Sequence, residues 1–249
     1  MNILVVGYGR MGREVERILV ERGHTVAGRI DPAASEADSA DPASFGKTAD
    51  AAIEFAGSDS VVENARYYVE HGIPAVVGTT GWEAERDTVR QLVQDGAGAY
   101  LWGANFSVGA NLFFALVREA GRIMQAFDSY DAMLSETHHR GKADSPSGTA
   151  LEAARRLMAS YPRKQTVVHE LPQRPLEAHE LHVASIRGGS VPGTHTLSFD
   201  SPFDTISISH SARTRSGFAL GSVLAAEWLS GQQGFFSVED FFLDIQTGA

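Results

Sequence analysis

The sequence predicts an α/β chain in which a doubly wound parallel sheet domain is joined to an α+β domain with an open mixed sheet. Three observations carry this. The N-terminus runs apolar strand, glycine turn and amphipathic helix; apolar runs and helical spacings then alternate to about residue 127; and beyond Tyr130 strand-like stretches follow one another without regular helices between them. Alternation of strand and helix gives parallel strands with crossover helices, whereas strands in direct succession favour antiparallel pairing.

Asn2 to Val6 is an apolar run of strand length. GYGRMG follows with Gly7, Gly9 and Gly12, and Val15, Ile18 and Leu19 continue at helical spacing. Glycines so placed permit a tight turn and close approach of a pyrophosphate, which would sit on the amides of the helix N-terminus. A second strand, His24 to Ile30, ends at Asp31, where a carboxylate can accept the adenosine ribose hydroxyls. Strand, turn, helix and acid together predict a Rossmann-type dinucleotide site. Ala51 to Phe55 reads as a strand, Val61 to His71 as a helix, and Ile73 to Val77 as a strand ending in Gly78, Thr79 and Thr80. These three fall at the carboxyl end of a strand, where such sheets bind ligands, although a helix-capping turn explains the threonines almost as well. Glu83 to Gln94 reads as a helix and Ala99 to Trp102 as a strand, and ANFSVGAN from Ala104 opens an apolar helix to about Phe127. Pro32 to Ser44, rich in Ala, Ser and Asp, reads as an exposed loop.

The second half offers strands at Asp131 to Thr137, Thr166 to Leu171, Leu181 to Ile186, His195 to Phe199 and Thr205 to Ser211, for which antiparallel pairing is expected. Phe218 to Leu229 is again helical and, with Phe235 to Leu243, returns to the first domain. The expected division is a dinucleotide-binding domain at 1–106 and 216–249 and a substrate-binding and oligomerisation domain at 107–215, whose open sheet offers a surface to other subunits.

A chain of 249 residues with 43% hydrophobic and 21% charged content has the composition of a globular protein with a sizeable core. A net charge of −10 argues against a nucleic-acid surface, which needs a basic field. The absence of cysteine rules out disulfides, a thiolate nucleophile and cysteine-ligated metals, and is compatible with a reducing compartment. The strand-like N-terminus and the lack of an apolar stretch of membrane-spanning length lead to the expectation of a cytoplasmic protein without membrane contact.

The densest chemistry lies from Glu136 to Ala150, ETHHRGKADSPSGTA. His138 and His139 are of the residue type that titrates near neutral pH, Arg140 and Lys142 carry fixed positive charge, and turn residues then lead into an apolar-periodic run. Ser145 suits an N-cap and Pro146 the first helical position. The helix would bury Ala150, Leu151, Ala154, Leu157 and Met158, with Glu152, Arg155 and Arg156 opposite. Free amides of Ser147, Gly148 and Thr149 would then face a carboxylate or phosphate. Imidazoles and cations held together repel one another unless an anion arrives, so the stretch reads as an anion site with an acid attached. His169, His179, His182, His195 and His210 show no shared metal spacing and read as structural or surface histidines; no metal site is expected. Phe235, Phe236, Phe241 and Phe242 read as core or interface.

On these residues the chain resembles the 4-hydroxy-tetrahydrodipicolinate reductase family, formerly called dihydrodipicolinate reductases. The likeness rests on Glu136, His138, His139, Lys142, Asp144 and Pro146 to Ala150. It extends to GYGRMG, to GTTG at Gly78, to ANFSVGAN at Ala104, to RGGSVPGTH at Arg187 and to SARTRSGFALG at Ser211. It implies an NADH- or NADPH-dependent reductase acting on a small cyclic dicarboxylate imine of the diaminopimelate route to lysine. The hydroxylated substrate loses water, a hydride reaches ring carbon 4 and a proton reaches the neighbouring carbon. The resemblance assigns the general acid to His138 and the essential lysine to Lys142. It assigns substrate binding to His139, Gly148 and Thr149, and cofactor contacts to Gly7, Tyr8, Gly9, Arg10, Met11, Gly12, Asp31, Gly78, Thr79, Thr80, Ala104, Asn105, Phe106 and Ser107. It also implies a homotetramer built through the open sheet; the anion site and the glycine turn on the other domain read as two halves of an active site that forms when the domains close. The chain departs from the family at Glu54, Phe55 and Ala56, where an Asp-Phe-Thr is usual, and at Pro32, where some members carry an arginine. Asp31 would repel a 2′-phosphate that Arg10 and Arg29 could accommodate, so NADH is slightly favoured. Arg187 and Arg215 are open between shaping a cavity, subunit contact and salt bridging. The alternatives are a noncatalytic NAD(P)-binding relative and another two-domain oxidoreductase, which would have no reason to keep the His-His, Lys and PSGTA arrangement.

Overall fold

A computed structural model describes residues 1–45 and 48–248. The chain divides into two compact units, one running from Met1 to Val108 and resuming at Arg215, the other Gly109–Thr214.

In the first unit, β1 (Asn2–Val6) alternates Ile3 and Val5 to one face with Leu4 and Val6 to the other, all of them buried. An apolar run buried on both faces is what a central parallel strand requires. Helix α1 (Arg10–Glu21) lays Val15, Ile18 and Leu19 on the first face. At about 1.5–3 kcal/mol for each large aliphatic side chain removed from water, that stripe holds the helix to the sheet. The chain continues through β2 (Thr25–Ile30), β3 (Ala51–Glu54), α2 (Val61–His71), β4 (Ala75–Val77), α3 (Arg86–Asp95) and β5 (Ala99–Trp102). Helix α2 stops at Gly72, which takes the left-handed conformation (φ 64°) that closes helices.

Helix α4 (Val108–Met124) enters the second unit after its first residue and is followed there by β6 (Asp131–His138), α5 (Gly148–Ser160), β7 (Thr166–Val168), β8 (Glu180–Arg187), β9 (Thr194–Asp200) and β10 (Thr205–Ser211). The chain then returns to the first unit as α6 (Ser216–Leu229), β11 (Gly234–Ser237) and α7 (Val238–Thr247).

The first sheet has six parallel strands in the order β11-β5-β4-β3-β1-β2. Helices α1, α6 and α7 cover one face while α2 and α3 cover the other, as the alternating pattern predicts. The order reverses beside β1, where β2 lies to one side and β3 to the other. Ligands bind such sheets at that switch point, outside the carboxyl ends of the strands. β11 is not apparent from the alternation: Gly234, Phe235, Phe236 and Ser237 are four residues running straight into the capping box of α7, whose Ser237 and Asp240 bond reciprocally. Phe241 and Phe242 are core, as expected.

The second sheet is mixed, in the order β10-β9-β6-β8-β7. The expectation of antiparallel pairing throughout is corrected: β6 pairs with β9 and β9 with β10 antiparallel, but β6 pairs with β8 and β8 with β7 parallel. Helix α5 and the long loop before β8 supply the crossovers that parallel pairing requires. Helices α4 and α5 bury Phe113, Phe114, Val117, Ala153, Ala154 and Leu157 against Leu134, Leu181, Val183, Leu197 and Phe199. Leu151, expected on this buried face, is 45% exposed; Ala153 takes its place, because the stripe is rotated toward the smaller residue. No helix among the described residues is long and apolar enough to cross a membrane.

Candidate active site

The glycine turn of the first unit is built by close packing. Gly7 has φ 87°, and a Cβ there would overlap the Phe55 carbonyl; a Cβ on Gly12 would overlap the Gly7 carbonyl. Gly9 has no atom within 4 Å of where a Cβ would lie, and as N-cap of α1 it leaves the first amides without a side-chain acceptor. That leaves an open, donor-rich cradle for an anion. Asp31 sits at the end of β2, its carboxylate accepting from the Tyr8 amide (2.8 Å) and from the amides of Ala33 (2.8 Å) and Ala34 (3.2 Å). A cleft of about 490 Å³ at the switch point is walled by Gly7, Gly9 and Asp31, with Pro32, Ala56 and Asn64. The residues fit a dinucleotide.

Other predicted cofactor residues are placed less directly. Tyr8 is buried, its hydroxyl on Glu16 and its ring between the Arg13 and Arg29 guanidinium groups, 5.0 and 5.7 Å from the ring centre. Arg10 is exposed and Met11 half-buried. Arg29 is held by Glu16 and Asp38. Gly78 faces the Phe55 ring, Thr80 is exposed, and Thr79 is buried, where its hydroxyl accepts from the Ala56 amide (3.0 Å) and donates to Glu54 (3.5 Å). Ala104 is exposed, Phe106 lies in the core, and the Ser107 amide bonds the Asn105 side chain (2.9 Å). Glu54 is fully buried beneath this end of the sheet and receives the Tyr68 hydroxyl (2.7 Å). Burial pushes its carboxyl up to about 7 against the lowering effect of Tyr68, Asn64 and Thr79.

In the second unit, strand alternation lays a polar row across the end of an apolar core. On β6 the inward residues are Ala132, Leu134, Glu136 and His138, and on β9 they are His195, Leu197 and Phe199. Register sets Leu134 beside Val183 and Leu197, and one row further on sets Glu136 beside Ser185 and His195. Glu136 Oε1 accepts from the Ser147 amide (3.0 Å), the Ser185 hydroxyl (2.8 Å) and Arg187 (2.7 Å). Arg187 also donates to the Asp144 carbonyl (2.6 Å). Burial raises the Glu136 carboxyl, but the donors from Ser147, Arg187 and Ser185 outweigh it and hold it at about 2. Its Oε2 lies 3.3 Å from His138 Nδ1 and 3.5 Å from His195 Nε2.

His138 is almost wholly buried, with Nδ1 turned to Glu136 and the Nε2 edge against Gly193. Burial lowers its pKa and the Glu136 charge raises it, while Lys142 and Arg187 lower it further. Lys142 pairs with Asp144 (2.8 Å), and His139 is exposed. The predicted cap is corrected: Ser147, not Ser145, caps α5, its hydroxyl accepting from Ala150 (3.2 Å). The Ser145–Pro146 peptide is cis, and the helix begins at Gly148. The Ser147 amide is therefore spent on Glu136, which leaves Gly148, exposed, and Thr149, half-buried, at the open helix end.

His195, which the sequence reads as a structural or surface histidine, stands within this site. It is buried beside His138, with ring centres 5.1 Å apart, and Nε2 lies 3.1 Å from the Ser147 hydroxyl. The signal was present in the alternation THTLSFD, which puts His195 on the inward face with Leu197 and Phe199. Arg187 resolves to salt bridging within this site. Glu136, His138 and His195 bring ligand-type atoms within 4.8 Å of one another. Arg187 on the same carboxylate and Lys142 nearby oppose a dication there and favour an anion.

Comparison with known proteins gives the family. Residues 1–106 match the family described as "Dihydrodipicolinate reductase, N-terminus" and residues 109–242 that described as "Dihydrodipicolinate reductase, C-terminus". A 4-hydroxy-tetrahydrodipicolinate reductase of Christiangramia forsetii is 35% identical over 98% of this chain and 99% of its own length. One of Chromobacterium violaceum is 34% identical over 96% of this chain and 97% of its own. A solved dipicolinate-bound dihydrodipicolinate reductase from Paenisporosarcina sp. TG-14 superposes with a TM-score of 0.76 at 19% identity, covering 95% of this chain and 97% of that one, a likeness of fold. The glycine cradle on one unit, the buried Glu136–His138 pair on the other and the matches along both units lead to one conclusion: the chain belongs to the dihydrodipicolinate reductase family.

Proposed function

We propose that this chain reduces 4-hydroxy-tetrahydrodipicolinate, with loss of water, to tetrahydrodipicolinate, and that His138 is the proton donor. The observation that carries the assignment is the buried Glu136 carboxylate, fixed by three donors on one oxygen and facing His138 Nδ1 with the other. A carboxylate on Nδ1 orients an imidazole and leaves Nε2 as the nitrogen that gives up a proton. Burial, with Lys142 and Arg187, pulls the His138 pKa below the ordinary imidazole value against the opposing Glu136 charge, so the protonated ring gives up its proton readily.

The dicarboxylate substrate would be held by Lys142, by His139 and by the amides of Gly148 and Thr149, where cations and a helix N-terminus favour negative charge. A bound nicotinamide cofactor supplies the hydride. Gly7 to Gly12 would take its pyrophosphate, with Asp31 on the ribose hydroxyls and Gly78 to Thr80 and Ala104 to Ser107 as further contacts. NADH is favoured over NADPH, since Asp31 would repel a 2′-phosphate, Pro32 offers it no charge, and Arg29 is already neutralised by Glu16 and Asp38. The outward face of β9 and β10, a ladder of Thr194–Ser211, Thr196–Ser209 and Ser198–Ser207 hydroxyl pairs beside exposed Met133, offers a surface to other subunits, and a cytoplasmic homotetramer is the family expectation.

The test is turnover with freshly generated substrate. Oxidation of NADH with a kcat/KM above that for NADPH is expected; no oxidation of either cofactor sinks the reductase reading, and a preference for NADPH sinks only the cofactor assignment.

A further inference from the structure

We infer that His195 is a positioning residue for proton transfer: placed on β9 opposite Glu136, it shares the free carboxylate oxygen with His138 and so fixes His138 with Nδ1 inward and Nε2 outward. The inference rests on the reading of His138 as the acid.

Glu136 anchors the cluster. Its Oε1 has three donors and cannot turn away. Its Oε2 is buried and has no hydrogen bond, and the same is true of His138 Nδ1. A buried carboxylate oxygen without a donor is costly. The imidazoles stand 3.3 and 3.5 Å away, so a shift of a few tenths of an ångström gives Oε2 two N–H donors. That assigns the tautomers as Nδ1–H on His138 and Nε2–H on His195, the latter also within reach of the Ser147 hydroxyl (3.1 Å).

His195 suits a supporting role and not that of a second acid. Burial first, then the His138 charge, push it down to about 4, so near neutral pH it is a dipole without charge. A neutral donor on Oε2 moderates the pull of the carboxylate on the His138 proton. The charged and titratable groups facing the pair are Glu136 on β6, Lys142 and Asp144 after it, Arg187 on β8, and His210 on β10, which stacks on His195 at 6.5 Å and is lowered by burial. Oε2 itself is approached by the two imidazoles, His138 at 3.3 Å and His195 at 3.5 Å.

The test compares His195→Phe, which keeps a ring in the core, with His195→Gln, whose amide N–H can occupy the place of Nε2. In the Phe variant kcat should fall about tenfold or more with cofactor affinity unchanged. A general acid must be protonated, so activity falls as pH rises through its pKa. With one donor removed, Glu136 holds the His138 proton more tightly, and this fall should move up by about half to one pH unit. The His138 ring signal in an NMR titration of the free protein should move by the same amount, and His195→Gln should restore most of both. An unmoved His138 titration in the Phe variant overturns the inference. So does equal loss of activity in Phe and Gln variants with equal loss of thermal stability, which would mark a packing role. A shifted titration in a protein without any turnover would sink the reductase reading and leave the His195–Glu136–His138 coupling standing.

Discussion

Gly193 decides how His138 can be used. It lies at φ 152°, and a Cβ there would stand 2.8 Å from His138 Nε2 and 3.1 Å from Cδ2. The missing side chain keeps open the edge of the imidazole from which the proton would leave. Gly193→Ala should therefore lower kcat roughly tenfold or more while leaving cofactor affinity unchanged, a split that locates the loss in proton transfer. Wild-type kcat in that variant would mean that Nε2 does not face the substrate. At this scale the site was only partly legible. His138 and Lys142 stand in a dense local run, and Asp144 falls in it too, so sequence neighbours became spatial neighbours. His195 and Arg187 come from strands whose pairing is not written locally, and they join Glu136 only through sheet register. The Ser147 cap was misread by two positions because Ser145 and Ser147 both suit an N-cap, and only the Glu136 carboxylate below decides which amide turns inward.

Among the elements, the end of β3 carries a second buried carboxyl with a consequence for stability. Glu54 is tied to Tyr68 of α2 and to Thr79 after β4, and Thr79 in turn holds the Ala56 amide at the cleft wall. Its pKa is raised by burial from 4.5 to about 7. The folded state thus binds the proton more tightly than the unfolded chain, so the stabilisation is complete below about pH 4.5 and is lost as pH rises through about 7. The loss is on the order of 3 kcal/mol. Glu54→Gln, which keeps hydrogen-bonding capacity but cannot ionise, should flatten the decline of Tm between about pH 4 and about pH 8, a window bracketing that range. Equal slopes in wild type and variant would show that Glu54 does not carry it. The elements of this unit were legible because each strand is an apolar run and each helix an apolar stripe. β11 was not, being four residues joined directly to a helix, and the parallel β6–β8 pairing was not, because direct succession of strands says nothing about which crossover passes between them.

Across the whole molecule the two units divide the chemistry. The first has an uncapped helix end with Gly9 open and Asp31 beside it, which in the proposed reading would take a phosphate and a ribose; the second has a fixed carboxylate, a buried imidazole and a cationic helix end, which would take the dicarboxylate. Net charge of −10 coexists with a local cationic site, where Arg187 is anchored on Glu136 and Lys142 on Asp144. If the division is correct, damage to the acid must leave the cofactor half intact. The most direct measurement is the turnover of His138→Gln with freshly generated substrate, taken together with its Kd for NADH. A fall in kcat of about a hundredfold or more with Kd within about twofold of wild type is the predicted result, as for loss of a general acid. Near-normal kcat in that variant would contradict the assignment of His138 and, with it, the account of the second unit as the proton-donating half.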